Sequence, residues 1–284
     1  MQRVLDPAQI EAFAQRTIPR IRLPDPSTVF AARAARLRHL GEGHAVGDYL
    51  RLMAAVADAQ QSALNAPTDS DWQVVLGTLC DAIAATRGFP EGVRAACERV
   101  RALPATVMEE QAELLLNNAI EGVDAQAAPF IMAALQVCQT RQVCSATPEE
   151  VTERAGALHI PGSCPMCSAL PVASIVRAEK AYQGYRYLHC SLCATEWHLV
   201  RIKCSQCEST AGIHYHSIEG GSSAVRAESC DSCKTYRKIC YQEHDMEVEP
   251  LADDLGSLAL DLLMTEAGFH RGSGNPLLWQ AAEP

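Results

Sequence analysis

The segment 164–240, CPMCSALPVASIVRAEKAYQGYRYLHCSLCATEWHLVRIKCSQCESTAGIHYHSIEGGSSAVRAESCDSCKTYRKIC, carries four Cys-x-x-Cys pairs: Cys164/Cys167, Cys190/Cys193, Cys204/Cys207 and Cys230/Cys233. Displacing the first two pairs by 40 residues lays every cysteine on its counterpart in the last two. Each unit is therefore Cys-x2-Cys-x22-Cys-x2-Cys, with ten residues between the units. A fixed period in ligand-type residues marks one supersecondary unit used twice.

Two cysteines separated by two residues place both sulfurs on one metal while the backbone between them turns tightly. Two such knuckles complete a tetrahedral S4 site that suits zinc or iron. Zinc sites commonly leave roughly 15–20 residues between pairs. The 22 here leave room for a β-hairpin, the plan of a zinc ribbon or rubredoxin. The eight paired cysteines are thus the candidate metal ligands. The repeat favours sequential ribbons, each with its own site; cross-bracing, first pair with third and second with fourth, stays open. Structural disulfides need an oxidising compartment, and the run 1–26 has no apolar h-region for export. Thioredoxin-like centres use one Cys-x-x-Cys at the start of a helix, not four in two matched sets. Thirteen cysteines therefore point to metal binding in a reducing cytoplasm.

Within the units, LPVASIV and YRYLHC read as strands about a turn at Gln183-Gly184, and WHLVRIKC as an alternating strand running into Cys204. In the second unit GIHYHSI and SAVRAESC flank a turn at Gly220-Gly221, and KTYRKICYQ alternates much as WHLVRIK does. Trp197, Tyr185, Tyr187 and Tyr236 are expected to pack around the small metal cores. His214 and His216 share a strand face and have no obvious metal partner once the cysteines are assigned. Cys240 reads as a buried strand position.

The chain has 284 residues, 24 basic and 34 acidic, for a net charge of −10. Eight thiolates holding two divalent ions would lower it further, to about −14. That balance argues against nucleic acid, whose binding rests on neutralising phosphates. No run approaches the roughly 18 apolar residues of a membrane span. No phosphate-cradling glycine loop and no Ser/His/Asp order supports catalysis.

Residues 1–150 read as helical. A short opening segment carries Ile10, Phe13 and Ile18. Ser27 and Thr28 can cap a helix with Val29, Phe30, Leu37 and Leu40, ended by Gly41 and Gly43. Further helices are expected over 46–64, from Asp71 through Ile83, after Pro90, over 105–120 and over 127–143, together an all-α bundle. Cys80, Cys97 and Cys138 lie on apolar faces, whereas Cys144 lies near a helix end. His39 and His44 flank the glycine break in surface or capping roles, and Arg33, Arg36 and Arg38 read as a solvated helix face. In the tail, Leu255, Leu258, Leu262 and Leu263 form an apolar stripe ended by Gly268, and Asp253/Asp254 complement the dipole of a first turn.

The fold class predicted is α+β multidomain. It comprises an all-α domain (1–150), a first four-cysteine ribbon (160–200), a second (201–244), and a C-terminal amphipathic helix and tail (250–284) packing back on the body.

The run CPMC…GYRYLHCSLCATEWHLVRIKCSQC…AESCDSCKTYRKICY, followed by EPLADDLGSLALDLLM and GFHRGSGNP, resembles the FdhE-type formate dehydrogenase accessory proteins through most of 160–278. PDPSTVFAARAARLRHL and GDYLRLMAAVADAQ extend the likeness more loosely into the first half. The resemblance implies a cytoplasmic, non-catalytic assembly factor. Its partner would be the molybdenum- or tungsten-containing catalytic subunit of a formate dehydrogenase, and its eight paired cysteines would hold two metal ions, iron favoured and zinc accommodated. Ser168 departs from the glycine frequent after the second cysteine of rubredoxin-like knuckles. A homodimer stays open, and rubredoxin-like electron transfer or redox sensing is the alternative reading.

Overall fold

The computed structural model describes residues 19–67, 70–119, 121–156, 162–179 and 182–279. The expected opening segment around Ile10, Phe13 and Ile18 lies outside them. The apolar periods of the first half become α1 (Val29–Leu40), α2 (Gly47–Asn65), α3 (Trp72–Ala85), α4 (Glu91–Arg101), α5 (Ala105–Leu116) and α6 (Ala128–Cys144). A short α7 (Pro148–Gly156) leads towards the first knuckle. Helices α1 and α2 pack as a hairpin that needs glycine at its neck: a Cβ on Gly47 would stand 2.5 Å from the Gly41 carbonyl oxygen. Helix α6 is buried on nearly every side, through Phe130, Ile131, Met132, Ala133 and Val137, as a central bundle helix must be.

Buried amides stitch this bundle together. Gln60 donates to the Ala133 carbonyl and to Gln136 Oε1, both at 2.9 Å. Thr28 stands at the N-cap of α1 but makes no side-chain cap bond. Gln61 of α2 caps that helix instead, its Oε1 accepting from the N–H groups of Phe30 and Ala31 at 3.0 Å. A local cap was the sequence expectation; a neighbouring helix supplies the acceptor.

The strands of the second half form one sheet with Ile21–Arg22 of the first. Its strands are β1 (Ile21–Arg22), β2 (Pro171–Val176), β3 (Arg186–Cys190), β4 (Glu196–His198), β5 (Ile213–His216), β6 (Val225–Cys230), β7 (Thr235–Tyr241) and β8 (His270–Arg271). Their order is β1-β4-β3-β2-β7-β6-β5, with β8 beside β7. Antiparallel pairs build each ribbon, and a parallel pair joins them, Ser174 opposite Ile239 and Val176 opposite Tyr241. The expected strand from Trp197 to Lys203 stops at His198. Beyond that point Leu199 N–H still bonds to the carbonyl of Arg186, the first residue of β3, at 3.0 Å, and the Arg201 and Lys203 carbonyls accept from the Arg186 guanidinium. Val200 and Ile202 are left exposed, whereas the corresponding strand of the second unit, β7, lies between β2 and β6.

The main core runs from the bundle into the first ribbon without a break, taking in Cys164, Val172, Leu188, Cys190, Cys193 and Trp197. Of the four aromatics expected around metal cores, only Trp197 shares a cluster with paired cysteines. Tyr187 and Tyr185 pack with Ile175 and Cys240, and Tyr236 with Leu260 and Met264.

The expected single C-terminal helix is two, α8 (Pro250–Leu255) and α9 (Leu258–Glu266), divided at Gly256 against Leu40. The break turns the apolar stripe: Leu255 is buried, but Leu262 and Leu263 face solvent, and Leu260 and Met264 cover the sheet in their place. Gly268 ends α9 as expected, at φ +83°, with Phe269 N–H bonded back to the Met264 carbonyl. Helix α8 lies between α1 and the sheet, and this placement overturns one sequence reading and extends another. Arg33 and Arg36 are buried rather than solvated: Arg33 pairs with Glu249 at 3.0 Å, and Arg36 with Asp253 at 2.6 Å and Asp245 at 2.7 Å. Asp253 does lie in the first turn of α8, its Oδ2 accepting from Glu249 N–H at 2.8 Å, and both it and Asp254 are also buried ion-pair partners. Asp254 meets Lys238, Arg271 and Asn275. Arg38 alone of the three arginines is exposed, beside Asp58.

Candidate metal centres

Each Cys-x-x-Cys pair folds into the same turn. The N–H of the first cysteine bonds to the carbonyl five residues on: Cys164 to Ala169, Cys190 to Thr195 and Cys204 to Ser209, at 2.8–2.9 Å. The residue after the second cysteine is left-handed in every case: Ser168 (φ 66°), Ala194 (56°), Glu208 (62°) and Lys234 (56°). None is glycine, and such conformations cost about 1 kcal/mol or more each. The turn frees backbone N–H groups to face sulfur. Leu192 and Cys193 N–H reach Cys190 Sγ at 3.4 Å, and Gln206 N–H reaches Cys204 Sγ at 3.3 Å.

The sulfurs gather in sequence order, Cys164, Cys167, Cys190 and Cys193 in one group and Cys204, Cys207, Cys230 and Cys233 in the other, each within 4.8 Å throughout. That geometry selects sequential ribbons over the cross-braced alternative. Closest separations are 3.6 Å (Cys164–Cys193), 3.4 Å (Cys167–Cys190), and 3.7 Å for both Cys204–Cys233 and Cys207–Cys230. A tetrahedron with metal–sulfur bonds of about 2.3 Å has edges of about 3.8 Å, so both groups fit an S4 ion. The cysteines are free thiols, not disulfides. Burial opposes ionisation of Cys230, but the N–H groups of Cys233 and Ser232 outweigh it and draw the thiol down to about 7. In the first group burial pushes Cys190 up, while bonds from the neighbouring cysteines draw Cys193 down.

The repeat extends past the sulfurs. Thr195 Oγ1 lies 3.1 Å from Cys193 Sγ, and Thr235 Oγ1 lies 2.9 Å from Cys233 Sγ. Against a thiolate only the hydroxyl has a proton to give, so each site would gain one charge-assisted hydrogen bond.

The surroundings of the two groups differ. Gln136 of α6 donates to the Ser191 carbonyl at 2.7 Å, tying the first group to the bundle. The second is backed by Arg237, buried, whose guanidinium donates to three neutral acceptors: Ser205 Oγ (2.9 Å), Ser273 Oγ (2.6 Å) and the Pro171 carbonyl. Burial and the cations Arg186 and Arg271 pull it down to about 10. A charged Arg237 beside Ser205 offsets part of the −2 left when four thiolates hold one divalent ion. Between the ribbons, buried Arg186 forms a bidentate pair with Glu228 at 2.7 and 2.9 Å.

A cleft of about 540 Å³ opens between α1, the first ribbon and residues 242–250. On its wall Glu196 accepts from Arg177 at 3.1 Å and Arg22 at 3.2 Å and meets His189 Nδ1 at 3.3 Å. Burial resists the Glu196 charge, but Arg177 and His189 hold its carboxyl down to about 2. None of these residues stood out in the sequence, because isolated charges on strands carry no periodic signal.

The remaining candidates lie outside the two sulfur groups. His214 bonds Asp231 at 2.9 Å, and His216 bonds Ser229 at 2.8 Å. His44 bonds the Gly256 carbonyl at 3.2 Å, and its Nδ1 accepts from Val46 N–H. Cys80, Cys97 and Cys240 are buried; Cys138 and Cys144 are half-buried at the bundle surface.

A helical bundle continuous with a double four-cysteine ribbon defines a class of metal-binding-type proteins in which the ribbons form part of the body rather than appendages. Family models described as FdhE, N-terminal (residues 18–71 and 63–155), FdhE, central domain (163–201) and FdhE, C-terminal domain (202–278) match this chain. The Protein FdhE homolog of Cronobacter sakazakii is 38% identical over 98% of this chain and 97% of its own. Protein FdhE of Salmonella paratyphi A is 36% identical over the same shares. The crystal structure of the FdhE protein from Pseudomonas aeruginosa is 34% identical and covers 93% of this chain and 100% of its own, with a TM-score of 0.79. The chain belongs to the FdhE family.

Proposed function

We propose that this chain is a non-catalytic accessory factor that binds the catalytic subunit of a formate dehydrogenase and is needed for its maturation. Its eight paired cysteines hold two metal ions, iron in the first instance and zinc as a substitute. The reading rests on one observation: the family match runs the length of the chain and includes both four-cysteine groups in tetrahedral proportion. The protein works in the cytoplasm, where thiols stay reduced. The units 1–150, 160–200, 201–244 and 250–284 are its functional divisions. No helix among the described residues is long and apolar enough to cross a membrane.

The test is formate dehydrogenase activity in cells lacking the protein, with the abundance of the catalytic subunit followed beside it. Activity is lost while the subunit persists. Wild type restores it; a Cys190→Ser/Cys193→Ser variant does not. Full activity in the deletion strain, with no second copy of the gene, overturns the proposal. Electron transfer is the second reading, favoured by the exposure of Cys207. It requires a reversible one-electron couple in the iron-loaded protein.

A further inference from the structure

The two four-cysteine groups share spacing, turns and hydroxyl contacts, yet they sit in different media. In the first group Cys164, Cys190 and Cys193 are 0–2% exposed and belong to the main hydrophobic core with Met166, Leu192 and Trp197, and half-buried Cys167 packs against that core. In the second, Cys207 is exposed and Cys233 half-buried, and no cysteine joins a hydrophobic cluster. The neighbours there are polar and open to water: Gln206, Glu208, Asp231 and Ser232 are all exposed. Just before this group the chain leaves the sheet and presents Val200 (57%) and Ile202 (63%) to solvent. Tyr215 on the free edge of the sheet, also exposed, reaches the Arg201 carbonyl at 3.3 Å.

Ligand exchange at a four-coordinate ion needs an incoming donor to reach the metal as one ligand leaves. At the first group no cysteine is exposed, and the packed core hinders that approach. At the second, Cys207 offers it.

We propose that the second four-cysteine group is an exchange site, at which an incoming thiolate or chelating donor displaces Cys207, while the first is a fixed structural site. In the step one donor–metal bond forms and the bond to Cys207 Sγ breaks. The freed Cys207 thiolate takes a proton from water, and the oxidation state of the ion does not change. A partner carrying a thiolate would meet the ion here, flanked by Val200, Ile202 and Tyr215. This inference rests on the assignment of the eight cysteines as ligands.

Full-length protein loaded with two zinc ions and challenged with a chromophoric pyridylazo chelator tests it, with and without glutathione. One equivalent is expected to leave at least tenfold faster than the other, and glutathione should speed only that phase. Alkylation mapping of the half-stripped wild-type protein should label Cys204, Cys207, Cys230 and Cys233 before any cysteine of the first group. Cys207→Ser should accelerate or abolish the fast equivalent and leave the slow one unchanged. Two equal phases, or labelling that begins at the first group, overturn the exchange assignment alone. A protein that takes up no metal overturns the ligand assignment with it.

Discussion

Glu196 shows how one side chain can hold several elements together. It is buried, and Arg177, Arg22 and His189 converge on it from β1, β3 and the end of β2. Its carboxyl falls from an ordinary 4.5 to about 2 on folding. A depressed carboxyl pKa stabilises the fold above the unfolded value, and that stability is lost as pH falls from about 4.5 towards 2. The shift corresponds to roughly 3 kcal/mol at neutral pH. Glu196→Gln should therefore lower the denaturation free energy by about 2–3 kcal/mol at pH 7, and the gap to wild type should narrow as pH falls to 3. Urea titrations across that range check it; a gap independent of pH would mean that packing, not charge, sets the cost. At this level the sequence is uneven evidence. The cysteines were legible because their spacing is itself the geometry of a local turn. Arg237, Gln136 and Glu196 were not, because each owes its burial to strands or helices distant in the chain.

The helices of the bundle were legible from apolar period, and most strands from β-branched and aromatic runs bounded by turn residues, although β2 and β3 are buried on both faces. One failure came where a second buried face is charged. Helix α1 packs on α2 with Phe30 and Leu37, and on α8 with Arg33 and Arg36. Its second face looks solvated because it is charged. The C-terminal stripe misled for a different reason: the chain breaks at Gly256, and the second helix meets the sheet through Leu260 and Met264. Removing one member of a buried pair strands the other charge, at a cost of about 3–5 kcal/mol. Arg36→Met should cost in that range. Arg36→Met combined with Asp253→Leu should cost much less than the two single changes added, as an equilibrium double-mutant cycle would measure. Strict additivity would mean that the two charges do not interact.

The whole molecule departs from the repeat that organises its sequence. Two ribbons that are equivalent in cysteine spacing become unequal partners in one sheet. The β2–β7 pair fuses them, and α8 and the Leu277 segment return to the bundle, where Tyr49 donates to the Leu277 carbonyl. A fragment ending at residue 201 would uncover the β2 edge and leave Arg33 and Arg36 without their carboxylates. Such a fragment should aggregate or lack cooperative unfolding by circular dichroism and size-exclusion chromatography, although it contains a complete first four-cysteine group. A monodisperse, cooperatively melting fragment would show that the bundle and first ribbon stand alone.

The pairing of Arg36 with Asp253 spans 217 residues of chain. On a ribosome adding about 5–20 residues per second, α1 emerges some 10–40 s before its counter-charges. During that interval its inner face is a row of arginines with nothing to neutralise them. The contact of α1 with α8 cannot form until residue 253 is made, so a product stalled before it would carry an exposed, unpaired arginine face.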